Sequence, residues 1–163
     1  MRCAHKKRDN RNRMMKKIKL TRYPLTALAV VVIWTLCLIP IPETPLNQIS
    51  LIDKWTHLVL FGGLTVIIWA EMLRDDKRRT KEAVYSDPKA LSPSCKILSR
   101  HYALWGGLAP WLMGGLIEIV QATCTHGVRS GDPIDFMADG VGVLLGMAIG
   151  ILLARFASTS NKG

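Results

Sequence analysis

The chain has 163 residues, of which 49% are hydrophobic, and it carries a formal net charge of +10 at pH 7. This length suits one domain, and this mixture is unusual for a soluble fold but ordinary for a small membrane protein with charged connections. A nucleic-acid partner is not expected, because the basic residues flank apolar segments and do not form a groove with interleaved aromatic side chains.

Four apolar segments follow one another, at about residues 24–41, 55–73, 102–121 and 135–155. Each is close to the ~20 residues that span a hydrocarbon core, although the first is the shortest and needs a thinner bilayer to fit. The predicted fold class is therefore all-α, a four-helix transmembrane bundle over residues 23–156. A basic segment (1–22) precedes the bundle and a short tail (157–163) follows it.

Basic residues are distributed unevenly between the predicted spans. Ten Lys and Arg precede Pro24, eight lie between Arg74 and Arg100, and two follow Ala154. With four spans these regions share one side, which the positive-inside rule identifies as the cytoplasm. We therefore expect a multi-pass protein of the plasma (inner) membrane with both termini cytoplasmic. The stretch after the first span contains no small-x-small cleavage site, so that span is interpreted as an uncleaved anchor.

Individual residues indicate how the helices begin, bend and end. Pro24 suits a first helical turn, Asp53 is a candidate N-cap for span two, and Pro110 should kink span three because it removes a backbone hydrogen bond. Glu71, at the cytoplasmic end of span two, is interpreted as a surface residue. The charged stretch 74–100 is interpreted as a cytoplasmic connector.

Small residues recur at every fourth position of span four: Ala138, Gly142, Gly146, Gly150 and Ala154. In a bilayer such residues let another helix approach closely, and packing replaces a hydrophobic driving force that lipid cannot supply. We favour packing within one chain, because span four needs neighbours to cover its carboxylates. Packing between two copies, in a homo-oligomer, is the alternative.

Ionisable side chains on three predicted spans lie at one depth beneath the outer surface. His57 is about one turn into span two, Glu118 and Gln121 lie near the end of span three, and Asp135 and Asp139 begin span four. Ionisable residues inside a span are costly, face protein or water, and mark function by default. The sequence therefore predicts a polar site at this level, with a purely structural network that locks the helix ends as the alternative.

Arg129 is, besides Lys54, the only basic residue expected on the outer side, so it is the natural counter-charge. The sequence contains no Ser or Cys nucleophile motif and no dense metal-ligand spacing, so no metal or cofactor is expected. The candidate ligand-binding residues are Asp53, His57, Glu118, Gln121, Arg129, Asp135 and Asp139.

Three activities are compatible with such a site. It could bind a polar lipid-linked molecule, with membrane lipids as partners. It could hydrolyse such a molecule, with Glu118 or Asp139 as general base and Arg129 stabilising phosphate. It could also relay protons in a small transporter through Glu118 and His57. Binding is favoured, since catalysis lacks a sequence signature.

Three motifs in order resemble the VanZ-like family of integral membrane proteins. They are DKWTHLVLFGGL in span two, EIVQ in span three, and an Arg followed by D-x-x-x-D-G-x-G in span four. The family pattern combines an Asp-Lys pair with a nearby His and Phe, then E-x-x-Q, an Arg, and D-x-x-x-N-x-x-G. The matching positions, within residues 24–155, are Asp53, Lys54, His57, Phe61, Glu118, Gln121, Arg129, Asp135 and Gly142.

The resemblance implies a cell-envelope protein linked to glycopeptide (teicoplanin) resistance, with an envelope precursor or a glycopeptide as partner. One position departs from the pattern, because Asp139 stands where the family usually has Asn. An Asn donates and accepts hydrogen bonds, whereas an ionised Asp only accepts. Either Asp139 is protonated or this protein uses the position differently.

The leading hypothesis is a non-enzymatic protein whose polar layer binds or shields an envelope lipid or glycan precursor. In it, Glu118, Arg129 and Asp135 hold the ligand or each other, and His57 and Gln121 orient them.

Overall fold

The structure, a computed structural model, describes residues 22–39, 50–86, 100–124 and 131–159. These residues form four helices and no strand: α1 (Pro24–Leu38), α2 (Ser50–Ser86), α3 (Arg100–Cys124) and α4 (Pro133–Thr159). The all-α bundle expected from the sequence is confirmed. Three stretches are long and apolar enough to cross a membrane, namely Ile52–Glu82, Arg100–Cys124 and Pro133–Phe156, as befits a multi-pass membrane protein.

Helix α1 is shorter than the predicted first span. It has 15 residues and ends at Leu38, and the following Ile39 has an extended backbone with ψ of 129°. Ile39 precedes Pro40, and the proline ring excludes the helical conformation from the residue before it. Within the described residues, the first predicted span (24–41) is thus helical only as far as Leu38.

Helix α2 is longer than predicted, because the first part of the supposed connector is helical. It has 37 residues and continues to Ser86, which gives a length of about 55 Å. No Gly or Pro interrupts residues 74–86. Pairs four residues apart also support this half, with Arg79 Nε 3.0 Å from Asp75 Oδ2 and Arg78 Nε 3.5 Å from Glu82 Oε1. The charged end of α2 therefore extends well past a ~30 Å hydrocarbon core.

The glycine stripe of α4 (Gly142, Gly146, Gly150) packs against α2 within the same chain, as favoured above. A Cβ at Gly142 would meet the carbonyl oxygen of Leu58, and one at Gly146 would lie 2.6 Å from the carbonyl oxygen of Gly62. The backbones of the two helices thus touch, which only small residues permit. This contact fixes the register of α4 on α2.

Helix α3 contains a π-helical turn at Leu104–Leu108, just before Pro110. The buried Trp69 of α2 fills the space beside this turn. A Cβ at Gly106 would collide with its indole nitrogen and is therefore excluded, and a Cβ at Gly150 of α4 would lie 2.5 Å from its ring. Two glycines on different helices thus make room for one large side chain of α2.

Helix α1 is held at both ends by side chains of other helices. The carboxylate oxygens of Glu71 each accept a hydrogen bond, from the backbone N–H groups of Leu25 and Thr26, at 3.0 Å in both cases. Glu71 is only 5% exposed, so its interpretation as a surface residue was wrong. The first amides of a helix lack partners within it, and Glu71 supplies them from α2.

The main apolar core lies between the four helices and separates the two polar ends of the bundle. Its buried residues are Ile33 and Cys37 of α1, Phe61 and Leu64 of α2, Ile117 of α3 and Val143 of α4.

Candidate functional site

Three helices bring one ionisable side chain each to a common point. Nδ1 of His57 on α2 lies 3.0 Å from Oδ1 of Asp139 on α4 and 3.7 Å from Oε1 of Glu118 on α3. These residues are 2%, 0% and 8% exposed, respectively. Each stands five or six residues from the end of its candidate span, a depth of roughly 8–9 Å. The structure thus brings together three residues that the sequence placed at one depth.

Small and aromatic neighbours fix the orientation of this triad (His57, Glu118, Asp139). A Cβ at Gly114 of α3 would collide with Oδ2 of Asp139, so glycine there lets the carboxylate approach α3. The ring of Phe61, one turn after His57, is stacked with the imidazole at a centroid distance of 6.3 Å and an interplanar angle of 12°. The side chains therefore have little freedom to turn away from one another.

A second group of charges lies beside the triad, at the start of α4. Nζ of Lys54 is 3.1 Å from Oδ2 of Asp132 and 3.3 Å from Oδ1 of Asp135. Oδ1 of Asp132 accepts a hydrogen bond from the backbone N–H of Ile134 at 2.9 Å, so Asp132 is the N-cap of α4 and Pro133 its first residue. Lys54 is thus the counter-charge that the described residues provide for these two aspartates.

The cap of α4 is connected to the triad through Glu118. Its Oε2 accepts a hydrogen bond from the backbone N–H of Asp132 at 2.9 Å. This contact requires a close approach of the chain before α4 to α3, because a Cβ at Gly131 would collide with the carbonyl oxygen of Glu118. The polar cluster therefore consists of Asp53, Lys54, His57, Glu118, Asp132, Asp135 and Asp139.

Asp132 has a lowered pKa. The main cause is the hydrogen bond from the Ile134 amide, followed by the hydrogen bond from the Lys54 ammonium. Both partners favour the ionised carboxylate. The Asp132 carboxylate is therefore ionised at neutral pH, and it joins the cap of α4 to α2.

Asp53 and Asp135 both lie in first turns of their helices. The prediction that Asp53 is the N-cap of α2 was wrong, since α2 is already helical at Ser50. A carboxylate in the first turn is still favoured by the helix macrodipole. Ligand atoms of Asp53, His57 and Asp135 lie within 4.8 Å of one another, so both aspartates belong to the cluster.

The two remaining candidates are Gln121 and Arg129. Nε2 of Gln121 donates a hydrogen bond to the carbonyl oxygen of Cys37 at 2.8 Å, which completes the end of α1; a role in orienting the carboxylates stays a prediction. Arg129 lies outside the described residues.

Two contributors, Lys54 and Asp132, were not among the ligand-binding candidates predicted from the sequence. A signal for Asp132 was present, because Asp followed by Pro at the start of an apolar run is the pattern of an N-cap with proline at the first helical position. Lys54 was matched only through the Asp-Lys pair of the VanZ-like pattern, and that pair does not indicate its two partners, which are 78 and 81 positions away.

An open groove between α3 and α4 is lined by one member of the triad, Glu118. It has a volume of about 630 Å³, and its lining includes Leu112, Leu116, Ile119 and Phe136 together with Glu118. Leu112, Leu116 and Ile119 are at least half exposed, so the groove is open along the side of the bundle. An apolar chain could lie in it with a polar group at the Glu118 carboxylate.

No protein-family model, curated protein or solved structure matches the chain.

Proposed function

We propose that this protein binds the polar part of a cell-envelope lipid or glycan precursor at the polar cluster, with the apolar part in the α3–α4 groove. The observation that carries the proposal is the position of Glu118, which lines the groove and also belongs to the buried triad. The groove volume of about 630 Å³ lies within the usual range for ligand pockets, about 300–1,000 Å³.

The charges of the cluster favour a particular kind of headgroup. The described residues of the cluster include several carboxylates but one lysine, Lys54. The ammonium group of Lys54 already contacts Asp132 and Asp135. Carboxylates accept hydrogen bonds, so a ligand that donates them, through sugar hydroxyls or an ammonium group, suits the cluster better than a bare phosphate.

The proposed setting is the plasma membrane, with both termini in the cytoplasm and the cluster at the opposite face. The distribution of basic residues supports this orientation through the positive-inside rule. The motif resemblance to VanZ-like proteins supports an envelope role, and a contribution to teicoplanin resistance is part of the same proposal.

A direct binding experiment tests the proposal. Purified protein in detergent is incubated with envelope lipid extract, and retained lipids are measured by native mass spectrometry. We expect saturable retention, lost when Leu116→Trp fills the groove and weakened in Glu118→Gln. Leu152→Trp is the matched control, since Leu116 and Leu152 are 50% and 51% exposed but only Leu116 lines the groove. Equal retention by Leu116→Trp and the wild type would overturn the proposal.

An enzyme acting on a lipid-linked substrate is the second candidate, and the His57–Asp139 contact favours it. A carboxylate that orients an imidazole is the arrangement of a general base. Lipid extracts of cells with and without the protein distinguish the two functions. An enzyme changes the ratio of a lipid to its cleaved product, and His57→Ala abolishes that change, whereas a binder leaves the ratio unaltered.

A further inference from the structure

We propose that the triad binds a divalent transition-metal ion, with Zn²⁺ the best match to one imidazole and two carboxylates. The inference goes beyond the proposed function, because it concerns the buried triad and holds whether or not a lipid occupies the groove. The sequence analysis predicted no metal, since the three ligands come from three helices and have no metal-like spacing.

The distances fit a metal site with three protein ligands. One ligand atom each from His57, Glu118 and Asp139 lies within 4.8 Å of the other two. The two shortest separations from Nδ1 of His57 are 3.0 Å and 3.7 Å. Zinc bonds of about 2.0–2.2 Å in tetrahedral geometry place ligand atoms roughly 3.2–3.6 Å apart. The two separations from His57 therefore need to change by only tenths of an ångström to reach this range.

Two buried carboxylate oxygens point to a ligand that is not a protein group. Oε1 of Glu118 and Oδ2 of Asp139 are inaccessible to solvent and have no hydrogen-bond partner among the residues that the structure describes. Such oxygens are costly in a dry interior. A metal ion bound by Oε1 of Glu118 and by the Asp139 carboxylate would reduce this cost, because it accepts lone pairs from carboxylates without requiring a donor hydrogen.

The charge of the triad also favours a divalent cation. Two carboxylates and a neutral imidazole with one divalent ion sum to zero, which suits a low-dielectric interior. Within the described part of the chain, Lys54 forms its ion pairs with Asp132 and Asp135. Among the described residues, the imidazole of His57 is therefore the only basic side chain that faces the two triad carboxylates.

The surrounding contacts resemble the outer shell of a metal site. Oε2 of Glu118 is held by the amide of Asp132, which leaves Oε1 directed at His57. Hydrogen bonds of this type orient ligands and strengthen metal binding. Asp53, His57 and Asp135 form a second possible set, but Asp135 is already paired with Lys54, so the triad is the stronger candidate.

Metal binding is measured on the purified full chain in detergent. The protein is washed with chelator, incubated with Zn²⁺ and desalted, and its metal content is determined by mass spectrometry; Co²⁺ in place of Zn²⁺ reports the coordination through its visible absorption. We expect one ion per chain and a raised Tm. Glu118→Gln and Asp139→Asn, which preserve shape, should each weaken binding by at least roughly tenfold.

Glu82→Gln is the control, because this carboxylate is exposed at the other end of α2 and its removal should not change metal content. His57→Ala tests the third ligand, and gel filtration establishes that each variant is folded. The proposal is overturned if the wild type binds no more metal than Asp139→Asn. It is also overturned if binding is lost in Asp53→Asn but kept in Asp139→Asn.

Discussion

The indole N–H of Trp69 donates a hydrogen bond to the carbonyl oxygen of Gly106 at 3.2 Å. Gly106 is four residues before Pro110, so this carbonyl is the one whose usual α-helical donor the proline removes. A side chain of α2 thus supplies the hydrogen bond that α3 lacks. Trp69 is 1% exposed, and the contact is protected from competition by water.

Trp69→Phe should therefore lower stability, by about 1–3 kcal/mol, because it leaves a buried carbonyl without its donor. Pro110→Ala restores a backbone N–H four residues after Gly106, so the double variant should be more stable than the sum of the single effects by about 0.5 kcal/mol or more. Thermal unfolding in detergent measures both. Trp105→Phe, at a residue that is 60% exposed, is the control and should have little effect. Additive single effects would contradict this account.

The contact between α2 and α4 predicts opposite results at two glycines. Gly142→Ala should lower stability by about 1–3 kcal/mol, since the new methyl group meets the rigid backbone of Leu58 and overpacking has this cost. At Gly63 a Cβ would have nothing within 4 Å, so Gly63→Ala should leave the free energy of unfolding unchanged or raise it by up to about 1 kcal/mol from helix propensity. Equal effects of the two substitutions on Tm would show that the backbones do not touch.

Glu71→Ala should destabilise the attachment of α1, because the amides of Leu25 and Thr26 lose their acceptors. The expected loss is about 1–3 kcal/mol. Glu82→Ala, which removes an exposed carboxylate from the same helix, should change stability by less than about 1 kcal/mol. Hydrogen exchange should be faster at the start of α1 in Glu71→Ala alone. Unchanged exchange there would contradict the capping role.

The lowered pKa of Asp132 predicts a dependence of stability on pH. A carboxylate with a depressed folded pKa stabilises the protein above its unfolded value, near 3.8, and this contribution is lost as pH falls through the folded pKa. Asp132→Asn retains an N-cap but removes the charge that binds Lys54. Its Tm should be below that of the wild type at pH 7, and the difference should shrink as the pH is lowered below about 4. A difference in Tm that is constant with pH would contradict the assignment.

The sequence predicted those features that follow from helical periodicity within one segment. The glycine stripe of α4 was identified from its four-residue spacing. The common depth of His57, Glu118 and Asp139 followed from their distances to the ends of the spans. The end of α1 at Leu38 was also encoded locally, because Pro40 disfavours a helical conformation at Ile39.

The sequence did not reveal contacts whose partners are distant in the chain. The capping of α1 by Glu71 connects residues 45 and 46 positions apart, and nothing in the local pattern around Glu71 distinguishes it from a surface carboxylate. The same holds for Lys54 and its two aspartates. The partner of each buried acid depends on how its helix is rotated about its axis. Glycine contacts between the helices set this rotation.

Both ends of α1 are completed by residues that the ribosome adds later. Glu71 of α2 holds its first amides, and Gln121, near the end of α3, holds the carbonyl of Cys37. Helix α1, which is translated before both of them, therefore makes these contacts only after α3 has been synthesised. During biogenesis, α1 therefore lacks the partners of its two ends until the later helices pack against it.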